Sequence, residues 1–108
     1  MIYELREYVT VPGRMPALVK RFNEHTLRIF DRLGFELTFI SLTGLGDNSA
    51  NELVYVLKFE DYGEMERKWA TFQADPEWRA ARSASEQDGP ILAQLRRRVL
   101  NPTPFEAQ

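Results

Sequence analysis

His25 is the only histidine in the chain, and acid–base chemistry would start there, because imidazole changes charge near neutral pH without help from its surroundings. It follows Phe22 by three residues and precedes Ile29 by four, so on a helix it borders an apolar stripe. In that position it can serve as a general base, a hydrogen-bond donor or an axial ligand to haem, or it can be a satisfied, partly buried side chain between helix and sheet. Glu4, Arg6 and Tyr8 form a second group. They alternate along an extended stretch and so share one strand face at about 7 Å intervals, twice the strand rise. Such a row can bind an anionic or polar ligand. It can equally form a cross-strand ion network with Arg96, Arg98 or Gln94 inside a subunit interface, and this second account is preferred, since buried charges need partners and partners of the right type are present. Trp69, Phe72 and Trp78 recur at helical spacing. They can stack on a planar ligand, but aromatics so spaced are more often plain core. Tyr55, on a strand of its own, is a further polar anchor.

Other chemistries find little footing. No cysteine is present, which removes disulfides, thiolate ligands and thiol nucleophiles and fits a reducing compartment such as the cytoplasm. One histidine leaves only carboxylates for a metal, at no recognisable spacing, so neither metal nor cofactor is expected. Gly44-Leu45-Gly46 lacks the third glycine and the following helix that a nucleotide-binding turn requires. Ser41, Ser49, Ser83 and Ser85 stand in no nucleophile elbow. Arg96-Arg97-Arg98 resembles a basic patch, but strand alternation turns Arg97 away from its neighbours. With a net charge of −2, nucleic acid is not expected as a partner. No apolar run approaches the roughly 20 residues needed to span a bilayer, and the first residues have neither the basic nor the apolar region of a signal peptide.

The elements that must position these side chains follow from periodicity. Residues 2–11 alternate as a strand, with Ile2, Glu4, Arg6, Tyr8 and Thr10 on one face and Tyr3, Leu5, Glu7 and Val9 on the other. Val11-Pro12-Gly13-Arg14 breaks it. The stripe Met15, Leu18, Phe22, Ile29 and Leu33, with Val19 and Thr26 beside it, predicts one helix from Met15 to Leu33, ended by Gly34. Phe35–Thr43 and Glu52–Phe59 read as strands joined by a turn-rich connection, the second of them buried on both faces. Asp61 caps a helix carrying Met65, Trp69 and Phe72. Asp75-Pro76 restarts it as a short helix carrying Trp78 to about Ser85. Ile91–Leu100 is the last strand, and 101–108 an extended tail.

This order, β-α-β-β-α-β, is the split βαβ plan. Right-handed crossovers put both helices on one face of a four-stranded antiparallel sheet. The expected fold is therefore α+β and ferredoxin-like, one domain over residues 1–108. The other sheet face has no cover from its own chain. A second copy's sheet would cover it economically, although an antiparallel sheet tolerates water on one side.

Particular residues then add to the pattern. Tyr3-Glu4-Leu5-Arg6-Glu7-Tyr8 with Pro12-Gly13-Arg14, Phe22-Asn23-Glu24-His25-Thr26, Asn51-Glu52-Leu53-Val54-Tyr55, Asp75-Pro76-Glu77-Trp78 and the closing Leu100-Asn101-Pro102-Thr103-Pro104-Phe105 together resemble the NIPSNAP family over essentially the whole chain. One departure is Phe39, where a tryptophan is expected in such proteins. The resemblance implies a dimeric α/β barrel, two sheets facing each other with helices outside. It implies no settled activity: a homodimeric barrel that binds a small molecule or a partner. The alternative is a cofactor-independent monooxygenase or related enzyme using the cavity between helices and sheet. Candidate catalytic residues are His25 and Tyr8, and candidate ligand-binding residues Glu4, Arg6, Tyr8, His25, Tyr55 and Trp69.

Overall fold

A computed structural model describes residues 1–106. Strand β1 (Ile2–Thr10) leads through α1 (Met15–Arg21), a single π-helical turn (Phe22–Thr26) and α2 (Leu27–Arg32) to β2 (Glu36–Leu42). Strand β3 (Glu52–Phe59) is followed by α3 (Tyr62–Ala74), α4 (Pro76–Ser85) and β4 (Leu92–Leu100). The sheet is antiparallel in the order β2-β3-β1-β4, with all helices on one face. This is the expected α+β, ferredoxin-like arrangement.

Local chemistry sets the element ends. Asp61 accepts a hydrogen bond from the Glu64 N–H at the start of α3, and Asp75 accepts one from Trp78 N–H at the start of α4, each removing an orphan donor from a first turn. Pro76 follows Asp75 at the first helical position, where its missing N–H costs nothing. Gly34 has a φ of +78°, the left-handed conformation that closes a helix and that a Cβ resists.

The first helix departs from expectation. It is not one α-helix from Met15 to Leu33, because Phe22–Thr26 winds one π turn between α1 and α2. A π turn inserts one residue and shifts the side chains beyond it by about 100°, a disturbance that the apolar stripe alone does not reveal. The tail differs too. Phe105 N–H donates to Pro102 O at 3.0 Å, closing a turn rather than continuing extended; the end of that tail, 107–108, lies outside the described residues.

The two faces of β1 part cleanly. Ile2, Glu4, Arg6, Tyr8 and Thr10 are buried, while Tyr3, Leu5, Glu7 and Val9 are half-buried. The buried set faces the helices, against Leu18, Phe22, Ile29, Phe30, Phe35 and Phe72. The Glu4-Arg6-Tyr8 row is thus on the helix side of the sheet, not the bare one. Its fourth-strand partner follows from register: Arg6 lies opposite Arg97, so Arg97 joins the row, in place of the expected Arg96, Arg98 or Gln94.

Candidate functional site

Glu4 is fully buried and is met by three side chains. Arg6 Nη1 donates to its Oε2 at 3.0 Å, Arg97 Nε lies 2.7 Å from the same oxygen, and Trp69 Nε1 donates to Oε1 at 2.6 Å. One carboxylate so faces two guanidiniums, and the cluster keeps a positive charge. The Arg6 guanidinium also lies over the Trp69 ring, 4.3 Å from its centroid, which desolvates the cation while keeping it stabilised. Burial opposes the Arg6 charge most strongly, but Tyr55, Tyr8 and Glu4 together outweigh it and hold its pKa above the ordinary arginine value. Arg6 is a fixed cation at any physiological pH.

From Arg6 the network runs to two phenols. Arg6 Nε donates to Tyr8 Oη at 3.2 Å, and Tyr8 Oη and Tyr55 Oη are 2.6 Å apart. Tyr55 is fully buried; burial, with Tyr8 next, pushes its pKa well above the ordinary tyrosine value, so it stays a neutral phenol. The register explains the meeting. Arg6 is directly opposite Tyr55 on β3 and Tyr8 is one pair along the same face, so three polar side chains converge from two central strands.

These groups form the floor of a partly open cavity of about 380 Å³ between sheet and helices, at the small end of the range for ligand sites. Phe22, Phe30, Trp69, Phe72 and Trp78 make its walls, Leu92 and Leu95 its edge along β4, and Arg82 and Glu86 its rim. Gln73 lines its exposed edge, and two buried polar residues line it that sequence reasoning did not single out as site residues. Arg21, at the end of α1, is 5% exposed. Its Nη1 donates to Ser85 Oγ at 3.2 Å and stands 3.8 Å from Glu86, but its buried Nε has no partner. Burial holds its pKa below the ordinary arginine value, a pull that Glu86 offsets only in part. Thr26, 2% exposed, closes the π turn, and its buried Oγ1 is likewise unpartnered. The signal for Arg21 was its place three residues after Leu18, inside the stripe. For Thr26 it was weaker, a β-branched polar residue beside the stripe.

The structure brings Glu4, Arg6, Tyr8, Tyr55 and Trp69 together and leaves His25 apart. His25 faces a second, smaller pocket of about 270 Å³ between α1 and α4 with Arg14, Lys20 and Asp88. Its Nδ1 lies 3.3 Å from Glu77 Oε2, a carboxylate that also pairs with Arg28 and, at 3.4 Å, with Arg32. The π turn gives the reason: it presents Phe22 and Thr26 inward and leaves His25 on the flank. An oxygenase arrangement in which His25 works with Tyr8 or Tyr55 therefore has no histidine in the cavity. Of the three consecutive arginines, Arg97 alone faces the helices, while Arg96 pairs with Glu7 at 3.3 Å and Glu52 at 3.6 Å on the bare face.

Comparison with known proteins gives a family and a set of folds. The NIPSNAP family model matches residues 3–107. No curated protein matches. Among solved structures, an uncharacterized NIPSNAP-like domain protein from Burkholderia xenovorans superposes with a TM-score of 0.84 at 24% identity, covering 99% of this chain and 89% of that one. A NIPSNAP family protein with unknown function from Agrobacterium tumefaciens superposes with a TM-score of 0.80 at 25% identity, covering 94% and 87%. A provisional antibiotic biosynthesis monooxygenase from Deinococcus radiodurans, at 13% identity and a TM-score of 0.61 over 94% and 91% of the chains, shares the fold alone.

Proposed function

The chain belongs to the NIPSNAP family, whose members here have no assigned activity, and from that premise we propose that it is a homodimeric, cytoplasmic α/β barrel whose helix–sheet cavity binds a small organic molecule. The observation that carries this reading is the polar floor of the cavity. Arg21 Nε and Thr26 Oγ1 are buried there without partners, as Arg14 Nε is beside the His25 pocket, and each orphan costs about 1–3 kcal/mol. A core built only for stability would also gain little by burying a Glu–Arg–Tyr–Tyr chain where apolar side chains pack as well. Such costs are the usual mark of a surface kept for a ligand. Homodimerisation is supported by the bare sheet face, where Phe39 and Leu100 are 50% and 42% exposed beside Leu5, Val54 and Val56. No helix among the described residues is long and apolar enough to cross a membrane.

The test is a fragment screen read by two-dimensional NMR on the labelled protein. Binding fragments are expected to move the indole N–H signals of Trp69 and Trp78 together with backbone signals of Phe22–Thr26. A screen in which no fragment moves those signals, or in which shifts gather around His25 and Glu77 instead, contradicts the proposal.

A further inference from the structure

The hydrogen-bonding capacity of the cavity is unbalanced, and the imbalance has a sign. Tyr8 and Tyr55 each carry one O–H, and their single contact uses one of the two protons. The phenol that accepts in this contact has no acceptor for its own proton among the described residues. Arg6 spends Nε on Tyr8 and Nη1 on Glu4, and its Nη2 donates to nothing among the described residues. Arg21 Nε–H and the Thr26 hydroxyl are buried and unpartnered. Among the buried groups of the cavity the surplus is thus of donors, and two of its members are guanidiniums; the Gln73 carboxamide, an acceptor as well as a donor, lies at the exposed edge. Glu4 does not answer the surplus, because its oxygens are taken by Arg6, Arg97 and Trp69, and Glu86 is turned to the rim, against Arg21 and Arg82.

Taking the cavity as a ligand site, as proposed above, we infer that its ligand is a small monoanionic carboxylate carried on a planar, unsaturated or aromatic body. The carboxylate supplies the acceptors that Arg6 Nη2, the spare phenolic O–H, Thr26 and Arg21 lack, in a desolvated place where charge-assisted hydrogen bonds are about twice as strong as neutral ones. The body lies in the open volume of the cavity, against the wall formed by Phe30, Trp69, Phe72 and Trp78, whose rings are packed edge-on and tilted on one another at 4.7–6.0 Å between centroids and present it with an aromatic surface. A dianion fits less well: the Glu4 carboxylate behind Arg6 neutralises part of the floor, and Glu86 repels at the rim. The π turn has a role here, since it is the inserted residue that aims Thr26 at the floor, and single π turns often mark functional positions.

Benzoate, phenylacetate and 2-naphthoate, each beside its amide, test this by quenching of tryptophan fluorescence at pH 7 and by calorimetry. The acids are expected to bind at least about tenfold more tightly than the amides of equal shape. Thr26→Val and Tyr55→Phe, which keep volume and leave the Glu4–Arg6–Arg97 cluster intact, are expected to weaken the acids severalfold and the amides less, because a neutral carbonyl accepts the same hydrogen bonds more weakly. Amides that bind as tightly as acids, or variants that weaken both alike, overturn the carboxylate assignment while leaving a binding cavity. If neither acids nor amides bind, the cavity itself is not a ligand site and both readings fall.

Discussion

Glu4 holds the site together by accepting hydrogen bonds from Arg6 on β1 and Trp69 on α3 and by pairing with Arg97 on β4. Its removal leaves two guanidiniums facing each other without a counter-charge, and breaking a buried ion pair from one side costs about 3–5 kcal/mol. Glu4→Leu is expected to lose that much in urea unfolding. Glu4→Gln, which keeps an acceptor for Trp69 but no charge, should fall between. A loss below about 1 kcal/mol for Glu4→Leu would show that the cluster is not tied as described. At this scale the sequence was partly legible. Alternation grouped Glu4, Arg6 and Tyr8 on one face, but could not say which face the helices cover. Hydrophobicity pointed the wrong way, because Leu5 and Val9 lie on the bare side while two charged residues are buried. A satisfied ion cluster reverses the rule that apolar residues choose the inside. His25 misled for a related reason: its spacing was right for the stripe on a regular helix, and the π turn placed it on the flank.

Elements were easier to read than faces, because caps and breakers act locally. Asp61, Asp75-Pro76 and Gly34 each mark an end by their own chemistry, and the structure puts helix ends there. The π turn was not legible, since one inserted residue leaves the average period almost unchanged. Asp75 supports a prediction in this range. It caps α4 and pairs with Arg32 at 2.9 Å. The hydrogen bond from Arg32, opposed by burial and aided by the Trp78 N–H, holds its pKa below the ordinary aspartate value. A depressed carboxylate contributes stability above its unfolded pKa and loses it as pH falls through the folded value. Asp75→Ala should cost about 1 kcal/mol at pH 7 from the cap alone, and Asp75→Asn less, since asparagine also caps. Thermal melts over a pH series should show the gap between wild type and Asp75→Asn closing below the ordinary aspartate range. A gap of constant size at every pH would mean that the charge of Asp75 does not contribute.

For the whole molecule, the question is what covers the second face of the sheet. Element order predicts one bare face, and the structure has it, carrying Phe39, Leu100, Val54 and Val56 beside the Glu7–Arg96–Glu52 ion cluster. A second copy meeting it across a two-fold axis would place like on like, apolar on apolar, with charges free to pair around them. The cavity lies on the opposite side, within each chain, so a dimer carries two of them. Native mass spectrometry in the presence of 2-naphthoate reads both halves of the account at once. The predicted spectrum is a species of twice the 12.6 kDa chain mass carrying up to two naphthoates, with 2-naphthamide at the same concentration leaving fewer such adducts. A species of single-chain mass, or a dimer to which no naphthoate adds, would contradict it.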